Sequence, residues 1–175
     1  MRGWLRIGVG GVVAATAISL VAVVVGPSGP TFALVSHLLA MAWISVAVAV
    51  RQPALTAGWF TVRSWEERAW RRAGTGPFRA LLRLVGWERV ITGQRRFDGT
   101  RAGLVELARQ TRLSEFCHLV VAGASAGGVA VAAMCGDVSA VLWLGAATVA
   151  FHLYPVLLQR VLRARIVRLL TVKQR

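Results

Sequence analysis

An acid and an imidazole near the middle of the chain are the residues best suited to do chemistry. Glu115 and His118 lie three residues apart in a stretch with helical periodicity that begins near Thr100. Counting 100° per residue, both fall on one stripe, about 100° wide, whose other members are mostly apolar. Those other members are Leu104, Leu107, Ala108 and Thr111.

A carboxylate beside an imidazole fixes the tautomer of the ring and favours its protonated form, which prepares a general base. The pattern therefore predicts that Glu115 and His118 are catalytic. The alternative is that Glu115 pairs with Arg112 on the surface and that His118 is an interfacial residue without a chemical role.

A second group of polar residues lies towards the end of the chain, where the pattern Q-R-x-x-R-x-R occurs. Guanidinium groups bind phosphate or carboxylate in bidentate fashion, so this pattern predicts a site for an anionic substrate. A histidine seven residues earlier, about 10 Å away along a helix, is expected to face the same cavity. The alternative is that the arginines only orient the protein and contact lipid. The predicted substrate-binding residues are Gln159, Arg160, Arg163, Arg165 and His152.

The chain offers few metal ligands. Glu115-x-x-His118 would be half of a di-iron carboxylate site, which needs a second such pair and further glutamates within helices. The sequence lacks that second pair, and its three histidines are too few for a membrane desaturase or hydroxylase. We therefore expect no metal and no bound cofactor, and we expect His37 to be a packing or hydrogen-bonding residue.

Four apolar stretches are long enough to position these residues in a membrane. They cover about 5–25, 31–50, 116–134 and 139–158, each with about the 20 residues that a helix needs to cross a hydrocarbon core. Backbone groups cannot stay unpaired in lipid, so each stretch must be helical. The mean hydropathy of +0.61 agrees, whereas a soluble protein would need four helices that are apolar all round. The sequence predicts an all-α integral membrane protein with four transmembrane helices, as a single membrane domain over residues 1–175.

The distribution of basic residues predicts how the spans are oriented. Most of the 21 Lys and Arg lie between Arg51 and Arg112, and the rest lie near the two ends. The short connectors 26–30 and 135–138 contain none. Because Lys and Arg accumulate on the cytoplasmic side, we expect a multi-pass protein of the cell membrane with both termini in the cytoplasm. The segment 51–115 and a basic tail at 159–175 are expected on the same side.

The first apolar stretch also has features of a secretory signal peptide, since Arg2 and Arg6 form a basic region before its apolar core. That core is long for a signal peptide, and a turn at 26–30 leads straight into the next span. We expect the first span to be retained, and its removal would leave the orientation of the later spans unchanged.

The cytoplasmic segment 51–115 is too polar to cross a bilayer and too long for a simple loop. Ser64 to Glu67 matches a capping box, a helix is expected to end by Gly74, and Pro77 suits the start of another helix. Apolar residues at helical spacing follow Pro77, and nearby tryptophans favour the head-group layer. The segment predicts amphipathic helices at the inner leaflet, with a solvated loop that contains one structural helix as the alternative.

The net charge of +14 is compatible with nucleic-acid binding, but the arginines border membrane spans. Basic segments in that position are attracted to anionic lipid by about 1 kcal/mol per charge. We therefore expect membrane lipids as partners, anionic phospholipid head groups in particular, and no nucleic acid.

Three short motifs, in a fixed order along the chain, carry a family resemblance. The first joins Trp65-Glu66-Glu67 with the later segment 84–89, LVGWER. The second is the segment 111–118, TRLSEFCH, and the third is the segment 159–165, QRVLRAR, with His152 where the family usually has Asn. Together they resemble the glycosyl-4,4'-diaponeurosporenoate acyltransferase family, small bacterial membrane proteins that act late in staphyloxanthin-type carotenoid synthesis.

The resemblance implies transfer of a fatty acyl group onto a sugar hydroxyl of a lipid-linked acceptor such as a glycosylated carotenoid. His118 would remove the hydroxyl proton, Glu115 would orient the imidazole, and the arginines would hold an anionic donor, for which acyl-CoA is the natural choice. The chain departs from the family at Val161-Leu162, which replace Tyr-Asn, and at Ala164, which replaces Pro. These departures leave the identity of the acceptor open.

A non-catalytic membrane protein, such as a scaffold or accessory subunit that binds anionic lipid, is the alternative function. It predicts that Glu115, His118 and Gln159 lie scattered, whereas catalysis predicts that they gather near the arginines. A transporter is disfavoured because the spans have no charge at the membrane midplane and no helix-breaking interruption.

Overall fold

The computed structural model describes residues 2–87 and 97–172, which form helices and turns with no strand among them. A 3-10 turn covers Gly58–Phe60, and two wider π-type turns cover Arg71–Thr75 and Val149–Leu153. The predicted all-α fold is confirmed. The helices of the described residues are Arg2–Val25 (α1), Pro30–Arg51 (α2), Glu66–Trp70 (α3), Gly76–Leu84 (α4), Arg101–Met134 (α5), Val138–Thr148 (α6) and Tyr154–Val172 (α7).

Four helical segments are long and apolar enough to cross a membrane, as predicted. The fourth combines α6, the π-type turn after it and most of α7. The third is longer than expected, because the helix predicted to begin near Thr100 and the third span form one continuous helix, α5. The chain is therefore a multi-pass membrane protein, with spans in Arg2–Val25, Pro30–Arg51, Arg101–Met134 and Val138–Thr171.

The chain divides into two compact units. The first unit consists of residues 1–53 and 116–153, and the second unit consists of residues 54–115 and 154–175. His37, His118 and His152 belong to the first unit. The carboxylate and arginine residues of the predicted site belong to the second unit.

In the first unit, α1 packs against α2 through glycines that face an indole ring. A Cβ atom added at Gly11 would lie 3.2 Å from the ring of Trp43, and one added at Gly10 would lie 3.3 Å from it. The same indole donates from Nε1 to the carbonyl of Ile7 at 3.0 Å. Small residues let helices approach closely in a membrane, so these glycines determine how near α1 and α2 can lie.

Replacing Gly11 by alanine is expected to destabilise the α1–α2 contact, because the new methyl group would force the Trp43 ring to move. Relative to Gly8→Ala, which gains the same helix propensity without a new contact, the expected loss is about 1–3 kcal/mol of unfolding free energy. Gly8→Ala is the matched control, since a Cβ at Gly8 meets nothing within 4 Å. Thermal unfolding in detergent would measure both variants, and equal stability of the two would contradict this account of the packing.

The two short connectors of the first unit hydrogen-bond to each other. Ser28 Oγ donates to the Asp137 carboxylate, and Ser139 Oγ donates to the Ser28 carbonyl at 2.8 Å. Asp137 also accepts from the Ala140 amide at 2.9 Å, which caps the start of α6. These contacts hold the ends of two helical hairpins together.

In the second unit, α3 packs against α7, and its start differs from the prediction. The helix begins at Glu66 and has no hydrogen bond from a capping side chain, so the capping box predicted at Ser64 is wrong. Glu66 accepts instead from the Arg63 amide at 3.1 Å. The physical reason is that the carboxylates of Glu66 and Glu67 both pair with arginines of α7. These arginines outcompete the exposed amides at the helix start as donors to the carboxylates.

The chain turns between α3 and α4 at Gly74, whose φ of +89° favours glycine over residues with a side chain. A Cβ added there would lie 3.4 Å from the Tyr154 hydroxyl oxygen. Tyr154 also stacks on Phe78, with ring centroids 4.8 Å apart. The turn thus fixes α4 against the start of α7.

The short helix α4 is amphipathic, and its apolar side is only partly covered. Pro77 lies in its first turn, as predicted. Leu81 and Leu84 are 52% and 84% exposed, although both are apolar. Such a face suits the boundary between lipid and water, and the position of α4 at the inner leaflet stays a prediction.

Candidate functional site

The second unit contains a cluster of four charged side chains that are almost completely shielded from solvent. Glu115 is 0% exposed, Arg163 2%, Glu66 3% and Arg160 8%. Buried charges are costly unless each is paired and hydrogen-bonded, so their contacts decide whether the cluster is stable. We refer to these four residues as the buried ion cluster.

Arg160 lies at the centre of the buried ion cluster. Its Nε and Nη2 atoms donate to the two carboxylate oxygens of Glu66 at 2.6 and 2.9 Å, which is the bidentate geometry that guanidinium groups favour. Its Nη1 atom donates to Oε1 of Glu115 at 2.7 Å and to the Trp59 carbonyl at 3.0 Å. One arginine therefore joins α3, α5 and α7.

Glu115 is held from two sides. Its second oxygen, Oε2, accepts from Nη2 of Arg163, whose Nη1 lies 3.4 Å from the Thr111 hydroxyl. The alternative in which Glu115 forms a surface pair with Arg112 is wrong, because no part of Glu115 reaches solvent. Nε of Arg163 is buried and has no hydrogen-bond partner among the described residues.

Glu66 is the member of the buried ion cluster that sequence analysis did not identify as a site residue. Burial by itself would raise the pKa of its carboxyl group. Hydrogen bonds from Arg160, the Arg63 amide and Trp70 outweigh that effect, so the pKa of Glu66 lies below its ordinary value. The only sequence signal was its place beside Trp65 in the first motif, which contains no information about its distant partner.

Two other residues of the predicted substrate group, Gln159 and Arg165, lie around this cluster in the second unit. Gln159 donates from Nε2 to the Ser114 hydroxyl at 3.0 Å. Arg165 is more exposed, with 43% of its side chain accessible, and its Nε lies 3.6 Å from Glu67. The pKa of Glu67 is lowered, mainly because Arg71 donates to its carboxylate.

The first unit brings together three imidazole rings. His118 and His152 approach through their Nδ1 atoms at 3.2 Å, with ring centroids 5.5 Å apart. The ring of His37 stacks on the ring of His152. The two ring centroids are 5.1 Å apart, and the two ring planes differ by 20°. His37 and His152 are buried, at 2% and 1% exposure.

His37 is fully occupied by other contacts, in agreement with its predicted role as a packing and hydrogen-bonding residue. Its Nδ1 donates to the Ala33 carbonyl at 2.6 Å, and its Nε2 lies 3.1 Å from the Thr148 hydroxyl. By contrast, Nε2 of His152 is buried without a hydrogen-bond partner among the described residues. The three rings therefore differ in how much hydrogen-bonding capacity they have left.

A local irregularity of the helix positions His152. The residue lies in the π-type turn Val149–Leu153, and such turns are frequent at functional sites. Proline has no N–H, so Pro155 cannot donate to the carbonyl of Phe151 four residues earlier.

The predicted site residues thus fall into two groups, each assembled within one unit. Glu115, Gln159, Arg160 and Arg163 lie in or beside the buried ion cluster, and His118 meets His152 in the histidine group. No three His, Cys, Asp or Glu side chains within residues 2–87 and 97–172 are placed to hold a metal ion.

Comparison with known proteins identifies one family. The family model described as glycosyl-4,4'-diaponeurosporenoate acyltransferase matches residues 56–172. This range contains every residue of the buried ion cluster and both His118 and His152. Glu88 and Arg89, which belong to the first of the three motifs, and the last three residues of the basic tail lie outside the described residues. No curated protein and no solved structure matches the chain.

Proposed function

The chain belongs to the glycosyl-4,4'-diaponeurosporenoate acyltransferase family, and from that membership we infer that it moves a fatty acyl group from acyl-CoA to a sugar hydroxyl of a glycosylated carotenoid or a related glycolipid. The coarser assignment, an acyltransferase of carotenoid glycolipid modification, follows from the family itself. The donor, the acceptor and the roles of individual residues are the proposal.

The observation that carries this proposal is the family match over residues 56–172, supported by the burial of the charges inside it. Removing two carboxylates and two guanidinium groups from water costs several kcal/mol per ion, which pairing only partly offsets. Apolar residues would stabilise a helix bundle at least as well. Buried ionisable groups that cost stability are candidates for a functional role, and this favours an enzyme over a lipid-binding scaffold.

We assign the proton transfer to His118; Glu115, one helical turn earlier on α5, is proposed to hold the guanidinium groups of Arg160 and Arg163 in place. Nε2 of His118 takes the proton of the sugar hydroxyl while the hydroxyl oxygen bonds to the thioester carbonyl carbon. The carbonyl oxygen gains a negative charge in the tetrahedral intermediate. When the intermediate collapses, the C–S bond breaks and His118 returns the proton to the CoA sulfur, which leaves an acyl ester and a free thiol.

The donor is expected to bind through its phosphates to the basic residues of α7. Arg165 has the most accessible side chain of the three arginines, at 43% against 10% for Arg160 and 2% for Arg163, so we assign the outer phosphate contact to Arg165. Arg163, whose Nε has no partner among the described residues, would bind the inner part of the donor with Gln159 beside it. Binding of the donor to Arg160 would require it to exchange one of its present acceptors for a donor oxygen. A cytoplasmic position of this cluster suits acyl-CoA, which is a cytosolic compound.

The cellular location forms part of the same proposal. The basic residues around the spans favour the cell membrane with both termini in the cytoplasm. Anionic phospholipid head groups are then the expected lipid partners of the exposed arginines.

The direct test is a transfer assay with the purified protein in lipid vesicles, using radiolabelled acyl-CoA and a glycosylated carotenoid. We expect a labelled acyl ester of the glycolipid to form, and we expect the same ester to disappear from the lipids of cells that lack the protein. Glu106→Gln is a suitable control variant, because Glu106 forms an exposed ion pair with Arg109. Absence of any acylated glycolipid in both experiments would favour the scaffold function instead.

A further inference from the structure

We propose that His152 is a second functional histidine of the acyl transfer, which holds the tautomer of His118 through Nδ1 and donates from Nε2 to the acyl carbonyl oxygen. This inference rests on the proposed function, since it assigns a role in the same reaction. It concerns residues of the first unit alone.

The contact between the two rings restricts where their protons lie. Nδ1 of His118 and Nδ1 of His152 are 3.2 Å apart, a distance that a single shared proton accounts for. A neutral imidazole carries one N–H and one bare nitrogen. Whichever ring holds the shared proton on Nδ1 therefore has a bare Nε2, and the other ring has a proton on Nε2.

The role of His118 as the base selects one of the two arrangements. To accept the hydroxyl proton, Nε2 of His118 must be bare, so the shared proton belongs to Nδ1 of His118. His152 then accepts at Nδ1 and carries its own proton on Nε2. In many enzymes a carboxylate fixes the tautomer and the ring orientation of the general-base histidine. In this arrangement His152 has that role for His118.

The N–H group of His152 that results has no acceptor among the described residues. Nε2 of His152 is buried, and the whole residue is 1% exposed. The neighbouring ring of His37 does not accept this N–H group, because the two rings are stacked with their planes 20° apart and Nε2 of His37 lies against Thr148. A buried donor without a partner is unfavourable, and a substrate carbonyl oxygen is an acceptor that would satisfy it.

The chemistry needs a donor of this kind. In the transfer step the thioester carbonyl oxygen becomes negatively charged, and hydrogen-bond donors aimed at that oxygen stabilise the tetrahedral intermediate. Removing one such donor from an enzyme typically lowers the catalytic rate about 10²–10³-fold. The stacked ring of His37, with its two fixed contacts, keeps the plane of His152 in place.

Two variants of equal shape test this role. Asparagine and leucine have the same number and branching of non-hydrogen side-chain atoms, but asparagine keeps one acceptor and N–H donors whereas leucine has neither. We expect His152→Leu to lower kcat about 10²–10³-fold with little change in KM for acyl-CoA, because the lost hydrogen bond acts on the transition state. We expect His152→Asn to stay within about tenfold of the unchanged protein.

Equal activity of the two variants, whether high or low, would overturn the proposal. If neither variant accumulates in the membrane, nitrogen-15 NMR of histidine-labelled unchanged protein in lipid decides the matter. The proposal requires the proton of His118 on Nδ1 and that of His152 on Nε2, and the opposite assignment contradicts it. If the unchanged protein transfers no acyl group, the proposed function fails; if it does transfer and His152→Leu is as active, only the present inference fails.

Discussion

Replacing His118 by alanine is expected to lower the rate of acyl transfer about 10²–10⁴-fold, the range typical for loss of a general base. Without the imidazole, a sugar hydroxyl would have to attack the thioester with its proton still in place. The measurement is the initial rate of labelled ester formation in vesicles, corrected for the amount of folded protein. Glu115→Gln is expected to lower the same rate, because it leaves the buried guanidinium groups of Arg160 and Arg163 without their shared carboxylate.

The matched control for His118→Ala is Cys117→Ala. Cys117 is the preceding residue of α5, 5% exposed, and its loss also removes buried atoms from the first unit. A rate close to that of the unchanged protein is expected for the control. Near-normal transfer by His118→Ala would rule out His118 as the base, and an equal loss in both variants would point to packing rather than proton transfer.

Glu66→Gln is expected to destabilise the second unit by about 3–5 kcal/mol, the usual effect of removing one partner from a buried ion pair. Arg160 would keep its contact with Glu115 but lose the carboxylate that accepts two of its N–H groups at 2.6 and 2.9 Å. Because Arg160 stays buried, the missing charge is not replaced by water. Chemical unfolding in detergent micelles would measure the loss.

Glu106→Gln is the control for this experiment as well. Its partner Arg109 is on the same helix, three residues away, and the side chains of the pair are 43% and 47% exposed. Exposed pairs contribute about 0–1 kcal/mol, so the control should unfold almost like the unchanged protein. Similar stability of Glu66→Gln and Glu106→Gln would show that the buried ion cluster contributes little.

The pH dependence of stability provides a second measurement on Glu66. The pKa of Glu66 lies below its ordinary value of 4.5 in the folded protein, so the folded state binds fewer protons than the unfolded one at that pH. The stabilising effect of Glu66 is therefore complete above pH 4.5 and is lost as the pH falls through the lowered pKa. Glu66→Gln should remove this part of the acid sensitivity.

Local patterns in the sequence were sufficient to predict the membrane-spanning helices and the assignment to a membrane. The length and apolarity of four stretches predicted the four spans, and the stripe from Leu104 to His118 predicted the helix that became the first half of α5. The same stripe predicted that Glu115 faces the protein, and it is completely buried. These properties repeat with the period of a helix, so neighbouring residues alone reveal them.

The partners of the site residues depended on the tertiary structure. The spacing of Glu115 and His118 predicted a pair, and that pair stays a prediction. In the second unit Glu115 accepts from Arg160 and Arg163, 45 and 48 residues further along the chain, and Arg160 reaches back 94 residues to Glu66. In the first unit Nδ1 of His118 meets His152, 34 residues away.

The sequence by itself determined the four apolar helical spans and the inward position of Glu115. Only the tertiary structure decided which carboxylate each guanidinium group binds and that His152 lies against both His37 and His118. The physical reason is that helix formation and amphipathicity are local properties, whereas the pairing of buried charges is set by how distant helices pack. Glu66 shows the difference most clearly, because its local pattern predicts a helix start and its buried partner is on another helix.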